Sequence, residues 1–86
     1  MKGIDMGYID VERYLIRKPF VPFLIRVTDG TVITVKHPEF VLVGVTAIEV
    51  GLQKREGSLL VEKVVSIALS HIVKLEPIEN TESVTA

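Results

Sequence analysis

The stretch FLIRVTDGTVITVK, Phe23–Lys36, decides the fold. Two apolar runs flank Asp29-Gly30, and an Asp-Gly pair between such runs is a strong short-range hairpin signal. The side chains discriminate between registers. A two-residue loop would set Arg26 opposite Ile33 and Phe23 opposite Lys36, mixing polar and apolar groups on both faces. A three-residue loop, with Gly30 in the left-handed region, pairs Ile25 with Ile33 and Phe23 with Val35. That register gathers Phe23, Ile25, Val27, Ile33 and Val35 on one face, and a slip of one residue would turn them all outward. The bulged register is expected, within strands spanning Phe20–Thr28 and Thr31–Lys36.

Downstream, His37-Pro38-Glu39 interrupts the ladder, because Pro38 has no backbone donor. Phe40–Val43 resumes an extended run. Apolar alternation then changes phase: Val41, Val43 and Val45 are odd, whereas Ile48, Val50 and Leu52 are even. A bulge or turn at Gly44–Thr46 accounts for this. Ala47–Gln53 reads as a strand and Lys54–Ser58 as a polar turn. Leu59–Glu76 fits two patterns. As a helix it shows a stripe of Val61, Val64, Val65, Ala68, Ile72 and Leu75, with Ser58 as a cap. As strands it puts Leu59, Val61, Val65, Ile67 and Leu69 on one face, with Lys63 the misfit. Val61, Val64, Val65, Ile67, Ile72 and Val73 are β-branched, which favours strand, tight turn near Ala68–His71, strand.

Upstream, Asp10–Lys18 reads as a short helix capped by Asp10, with Val11, Tyr14 and Leu15 as its apolar stripe and Pro19 as its stop. Two helical turns are not stable alone, so the helix must lie on the strands. Residues 1–9 read as a loose lead, 10–77 as one domain and 78–86 as a polar tail. The outline is a mainly β protein: a small SH3/Sm-like barrel of five to six short antiparallel strands with a short N-terminal helix. Closure would remove sheet edges that so apolar a sequence could not safely expose.

Composition narrows the function classes. The chain has 86 residues, of which 48 % are hydrophobic, and its mean hydropathy is +0.41. This is much apolar surface for a small core, so part of it is expected to meet another chain, with a homo-oligomer the simplest case. With no cysteine there is no disulfide scaffold, thiolate zinc site or cysteine nucleophile, and an intracellular setting is expected. The net charge of −1 argues against coating duplex DNA, where affinity comes from released counterions. No apolar run approaches the roughly 20 residues of a membrane span, and Met1–Asp10 does not read as a signal peptide. There is no nucleophile elbow, P-loop or G-x-G-x-x-G, so neither catalysis nor a cofactor is expected.

Arg17-Lys18-Pro19-Phe20-Val21-Pro22-Phe23, then Asp29-Gly30, then Val35-Lys36-His37-Pro38-Glu39-Phe40, form a spaced series. The series resembles a family of small uncharacterised bacterial proteins marked by P-F-x-P-F, D-G and V-x-H-P-E, over about Val11 to Glu76. That resemblance implies a compact cytoplasmic bacterial domain and carries no activity. The order of elements, ending in a late His71-Ile72 turn, is similar to Sm-like barrels of the Hfq type. Such a likeness implies rings built by edge-strand pairing, and RNA bound on ring faces. Ser70 stands where the Hfq type has a basic residue before the histidine, and the Asp-x-x-Met-Asn pattern of eukaryotic Sm proteins is absent from His37–Gly44.

Three groups of side chains are candidates for a site. His37 and Glu39, two apart on an extended chain, could face the same way as part of a metal or ligand site. Zinc wants at least three protein ligands, and His71 would have to supply the third. The plainer reading has both residues satisfying backbone groups where Pro38 turns the strand. His71 could instead contact a nucleotide base from its turn, or simply bond a neighbouring carbonyl. Arg13, Arg17 and Lys18, with Arg26, could form an anion-binding patch, or else a solvated helix end where the dipole favours cations. Phe20, Pro22 and Phe23 read as core and rigid lead into the first strand rather than as a binding platform. The sequence reading is thus a non-enzymatic, self-associating interaction module. RNA binding is the alternative, and a metal- or ligand-dependent enzyme the remoter one.

Overall fold

The computed structural model describes residues 6–55, 57–58 and 60–78. Along the chain run a helix, α1 (Tyr8–Leu15), and six strands: β1 (Phe23–Val27), β2 (Val32–Val35), β3 (Val41–Val43), β4 (Ala47–Gln53), β5 (Val61–Ala68) and β6 (Ile72–Pro77). Short 3-10 turns at Pro38–Phe40 and Leu69–His71 join β2 to β3 and β5 to β6. The strands pair into two antiparallel sheets, ordered β2-β1-β6 and β3-β4-β5. The protein is therefore mainly β, as its sequence implies. Its ladders form two three-stranded sheets rather than one closed ring of hydrogen bonds.

The Asp29-Gly30 hairpin takes the bulged register, with Phe23 opposite Val35 and Ile25 opposite Ile33. Gly30 sits at φ +92°, a conformation costly for any residue with a Cβ. The Gly30 N–H donates to Val27 O at 2.9 Å, and the Val27 N–H donates to Thr31 O at 2.9 Å, which closes the three-residue loop. The phase change near Gly44 is a turn: Val43 faces Ile48 across it, and the Gly44 N–H donates to Ala47 O at 2.8 Å. Leu59–Glu76 divides into β5, a turn at Leu69–His71 and β6, so β-branching prevails over the helical stripe. The misfit Lys63 lies opposite Leu52, and a register shift follows between Leu52 and Gln53. Past that irregularity Val61 leaves the inward face and packs on Gly51, where an added Cβ would lie 3.2 Å from both Val61 methyl groups.

Two expectations need correction at the ends. The helix begins at Tyr8, with Gly7 as its N-cap, and stops at Leu15, before Pro19 is reached. Asp10 is the third helical residue, and its carboxylate reaches back to accept the Gly7 N–H at 2.9 Å. A carboxylate three positions inside the helix thus does the work expected of the capping residue. Nor are Met6 and Gly7 loose: Met6 packs against the core. The rest of the expected lead and nearly all of the expected tail lie outside the described residues.

One core serves both sheets and the helix. Phe23, Ile25, Ile33 and Val35 come from the first sheet, and Val41, Ile48, Val50 and Ile67 from the second. Leu69 and Ile72 join them at the last turn, and α1 contributes Val11, with Tyr14 and Leu15 packed beside it. Each side chain so buried contributes about 1.5–3 kcal/mol relative to exposure. Tyr14 and Phe20 flank Phe23 at ring-centroid distances of 5.1 and 6.1 Å, which makes this aromatic group core rather than platform.

Candidate functional site

The 3-10 turn between β2 and β3 holds the motif residues His37-Pro38-Glu39. Proline is tolerated at the start of such a turn because its missing donor would be unsatisfied anyway. The turn brings His37 and Glu39 together, with Nδ1 of the imidazole 3.9 Å from a Glu39 carboxylate oxygen. The imidazole also meets the Phe40 ring edge-on at 5.6 Å. His37 faces a cleft of about 240 Å³ between the β2–β3 bend and the far end of β4. Its other polar lining comes from Thr34, Lys36, Gln53 and Arg55.

His71 does not join this group. It lines a separate cleft with Asp29, Thr31 and Ser66, at the opposite end of the hairpin. There its backbone carbonyl accepts the Thr28 N–H at 2.9 Å, tying the last turn to the hairpin loop. Asp29 accepts the Thr31 N–H at 2.9 Å. That hydrogen bond, followed by the Thr31 hydroxyl and more weakly by the nearby His71, holds the Asp29 carboxyl below its ordinary range. Among the described residues no group of three or more His, Asp or Glu side chains is placed to hold a metal ion. The three-ligand set of His37, Glu39 and His71 is therefore not assembled.

Arg13, Arg17 and Lys18, at and just beyond the end of α1, are all exposed. Arg13 lies in the last turn of α1, exposed. The Arg17 guanidinium lies over the Tyr14 ring, 4.8 Å from its centroid, and Lys18 is exposed beyond the helix. Arg26, the expected fourth member, sits on the outer face of the first sheet. Its Nε bonds Glu76 at 2.7 Å, and Lys74 lies 3.7 Å from the same carboxylate. The Arg26 hydrogen bond is the main cause holding the Glu76 carboxyl below its ordinary range, with the Arg26 and Lys74 charges adding to it.

Sequence reading found His37 and missed Thr34, Gln53 and Arg55, which reach the same cleft from other segments. Arg55 stood in a stretch read only as a polar turn. The outer face of the second sheet was also missed. Leu42 and Val64 stand there, 69 % and 60 % exposed, beside Val61 and the carboxylates of Glu39 and Glu49 around a shallow depression.

Comparison of the chain with protein-family models, with curated proteins and with solved structures finds no match in any of the three. No helix among the described residues is long and apolar enough to cross a membrane.

Proposed function

We propose that this chain is a non-enzymatic interaction module of the cytoplasm, a small SH3/Sm-like open barrel that works as a homo-oligomer. The barrel reading is supported by connectivity. The first sheet runs into the second through the β2–β3 bend and again through the β5–β6 turn, and both sheets enclose one core. Unrolled, the strands follow the order β6-β1-β2/β3-β4-β5, with β5 and β6 at its ends, each paired on one side only, as β2 and β3 are at the bend.

The observation that carries self-association is the apolar outer face of the second sheet, Leu42, Val61 and Val64, next to the free edge of β5. An eight-residue edge strand, five of whose residues are apolar, beside an exposed apolar face is a template for pairing with another chain. The edge of β6 suits it, since Val73 is exposed there as Val61 and Val64 are on the β5 face. A second copy offers both surfaces at once, and such head-to-tail pairing closes into a ring when the rotation permits. The RNA-binding alternative draws less support, because Asp29 shares the cleft of His71, and Arg26 is engaged by Glu76.

Sedimentation equilibrium tests the reading. The protein should sediment well above its 9.5 kDa monomer mass at micromolar concentration, and Val64→Lys should shift it toward monomer without loss of fold. A monomer over a wide concentration range would reject it. Salt-sensitive binding to single-stranded RNA, lost on His71→Ala, would favour the alternative.

A further inference from the structure

We infer that the cleft between the β2–β3 bend and the β4–β5 turn is a binding site for a small organic anion, with Arg55 and His37 holding its carboxylate or phosphate head. Two segments distant in sequence converge on it: Lys36-His37 after β2, and Gln53 at the end of β4 with Arg55 in the turn that follows. Their chemistry is one-sided. Among the described residues the lining contains lysine, histidine and arginine and no carboxylate, although acids outnumber Lys and Arg in the chain by eleven to ten. Glu39 pairs with His37 from outside the cleft and is not part of its lining.

The His37 ring and the turn that carries Arg55 are held rather than loose. His37 is fixed between Glu39, at 3.9 Å, and the Phe40 ring, at 5.6 Å. Nδ1 is the nitrogen turned to Glu39, so Nε2 is the one this pair leaves for a ligand. The turn carrying Arg55 is tied back on β4: Gln53 Nε2 donates to Ser58 O at 2.6 Å, and the Ser58 N–H donates to Arg55 O at 3.0 Å. Arg55 makes no ion pair among the described residues, and its planar fork suits a carboxylate or phosphate bidentately.

Beneath these groups the floor is apolar, formed by Phe40, Val50 and Leu52. A bare inorganic ion would leave that floor uncovered. An anion with a hydrocarbon body would cover it. The volume of about 240 Å³ is below the roughly 300–1,000 Å³ of sites for drug-sized ligands, so the body is a single ring or a short chain. This site is independent of the β5 edge and would stand if the protein were a monomer.

Titration of the isotope-labelled protein followed by NMR tests it, with benzoate and phenyl phosphate as probes. Benzamide serves as the neutral isostere and inorganic phosphate as the bodiless anion. At least one organic anion should shift His37, Phe40 and Arg55 signals saturably, and the tighter of the two identifies the head group. Benzamide and inorganic phosphate should each bind at least about tenfold more weakly, in line with a lost charge-assisted contact or a lost apolar body. Arg55→Gln, at an exposed turn position, should weaken binding by a similar factor, whereas Arg13→Gln on the helix should not. The inference is overturned by any of four results: no saturable shifts with either anion, benzamide binding as well as benzoate, inorganic phosphate binding as well as phenyl phosphate, or Arg55→Gln and Arg13→Gln having equal effects.

Discussion

Replacing Gly30 by alanine perturbs the hairpin through the backbone alone. Gly30 lies at φ +92°, and a Cβ built there meets no atom within 4 Å. No clash with neighbours adds to the cost, which is then the intrinsic penalty of a Cβ in left-handed backbone, roughly 1–2 kcal/mol. That is a large fraction of a domain stability of about 5–15 kcal/mol, yet it leaves the chain folded. In a domain of this size it corresponds to a fall in Tm of about 4–16 °C. Gly30→Asn should cost less, because asparagine visits the left-handed region more readily. Urea denaturation of the three proteins measures the difference as a shift in midpoint at constant slope. A cost for Gly30→Ala below about 0.5 kcal/mol, the range of an ordinary surface substitution, would refute the reasoning. The turn would then not be left-handed at residue 30, and the Ile25–Ile33 register would lose its basis.

Further outcomes follow from the same packing. Ile48→Ala, at a fully buried position in β4, should cost about 2–5 kcal/mol in the same denaturation assay and weaken both sheets together. Gly51→Ala sets a Cβ 3.2 Å from the Val61 methyl groups and should destabilise; adding Val61→Ala should recover part of the loss, with a coupling of at least about 0.5 kcal/mol in a double-mutant cycle. Glu76 has its carboxyl held below the ordinary range by Arg26, so the folded state favours the ionised form. Its stabilising contribution is present above the unfolded carboxyl's pKa and is lost as pH falls through the lower folded value. Thermal melts against pH should therefore fall less steeply at the acid end for Glu76→Gln than for the parent; equal slopes would contradict this.

Much of the fold was legible because each local signal agreed with the buried face. Asp29-Gly30 named the turn, and only one register put Phe23, Ile25, Ile33 and Val35 on the same side. The β-branched run from Val61 to Val73 separated strand from helix, although both periodicities fitted. The helix start was displaced because Gly7 has no capping side chain, and the visible acid, Asp10, acts from within the first turn. Division into two sheets was not legible: inward alternation is the same whether hydrogen bonds close a ring or stop at a bend. At the cleft, His37 was found through its sequence neighbour Glu39, which pairs with it from outside the lining. Arg55 and Gln53 were not, because only the meeting of β2's end with β4's end gives them a shared ligand space.

Self-association through the free edge of β5 is tested most directly by amide hydrogen exchange across a dilution series. In a lone protomer one side of β5 has no strand to bond, so its outward amides exchange freely. Protection at residues 61–68 and 72–76 should rise with protein concentration, while that of β1, bonded on both sides, stays constant. Protection of β5 and β6 unchanged from dilute to concentrated solution would contradict the account.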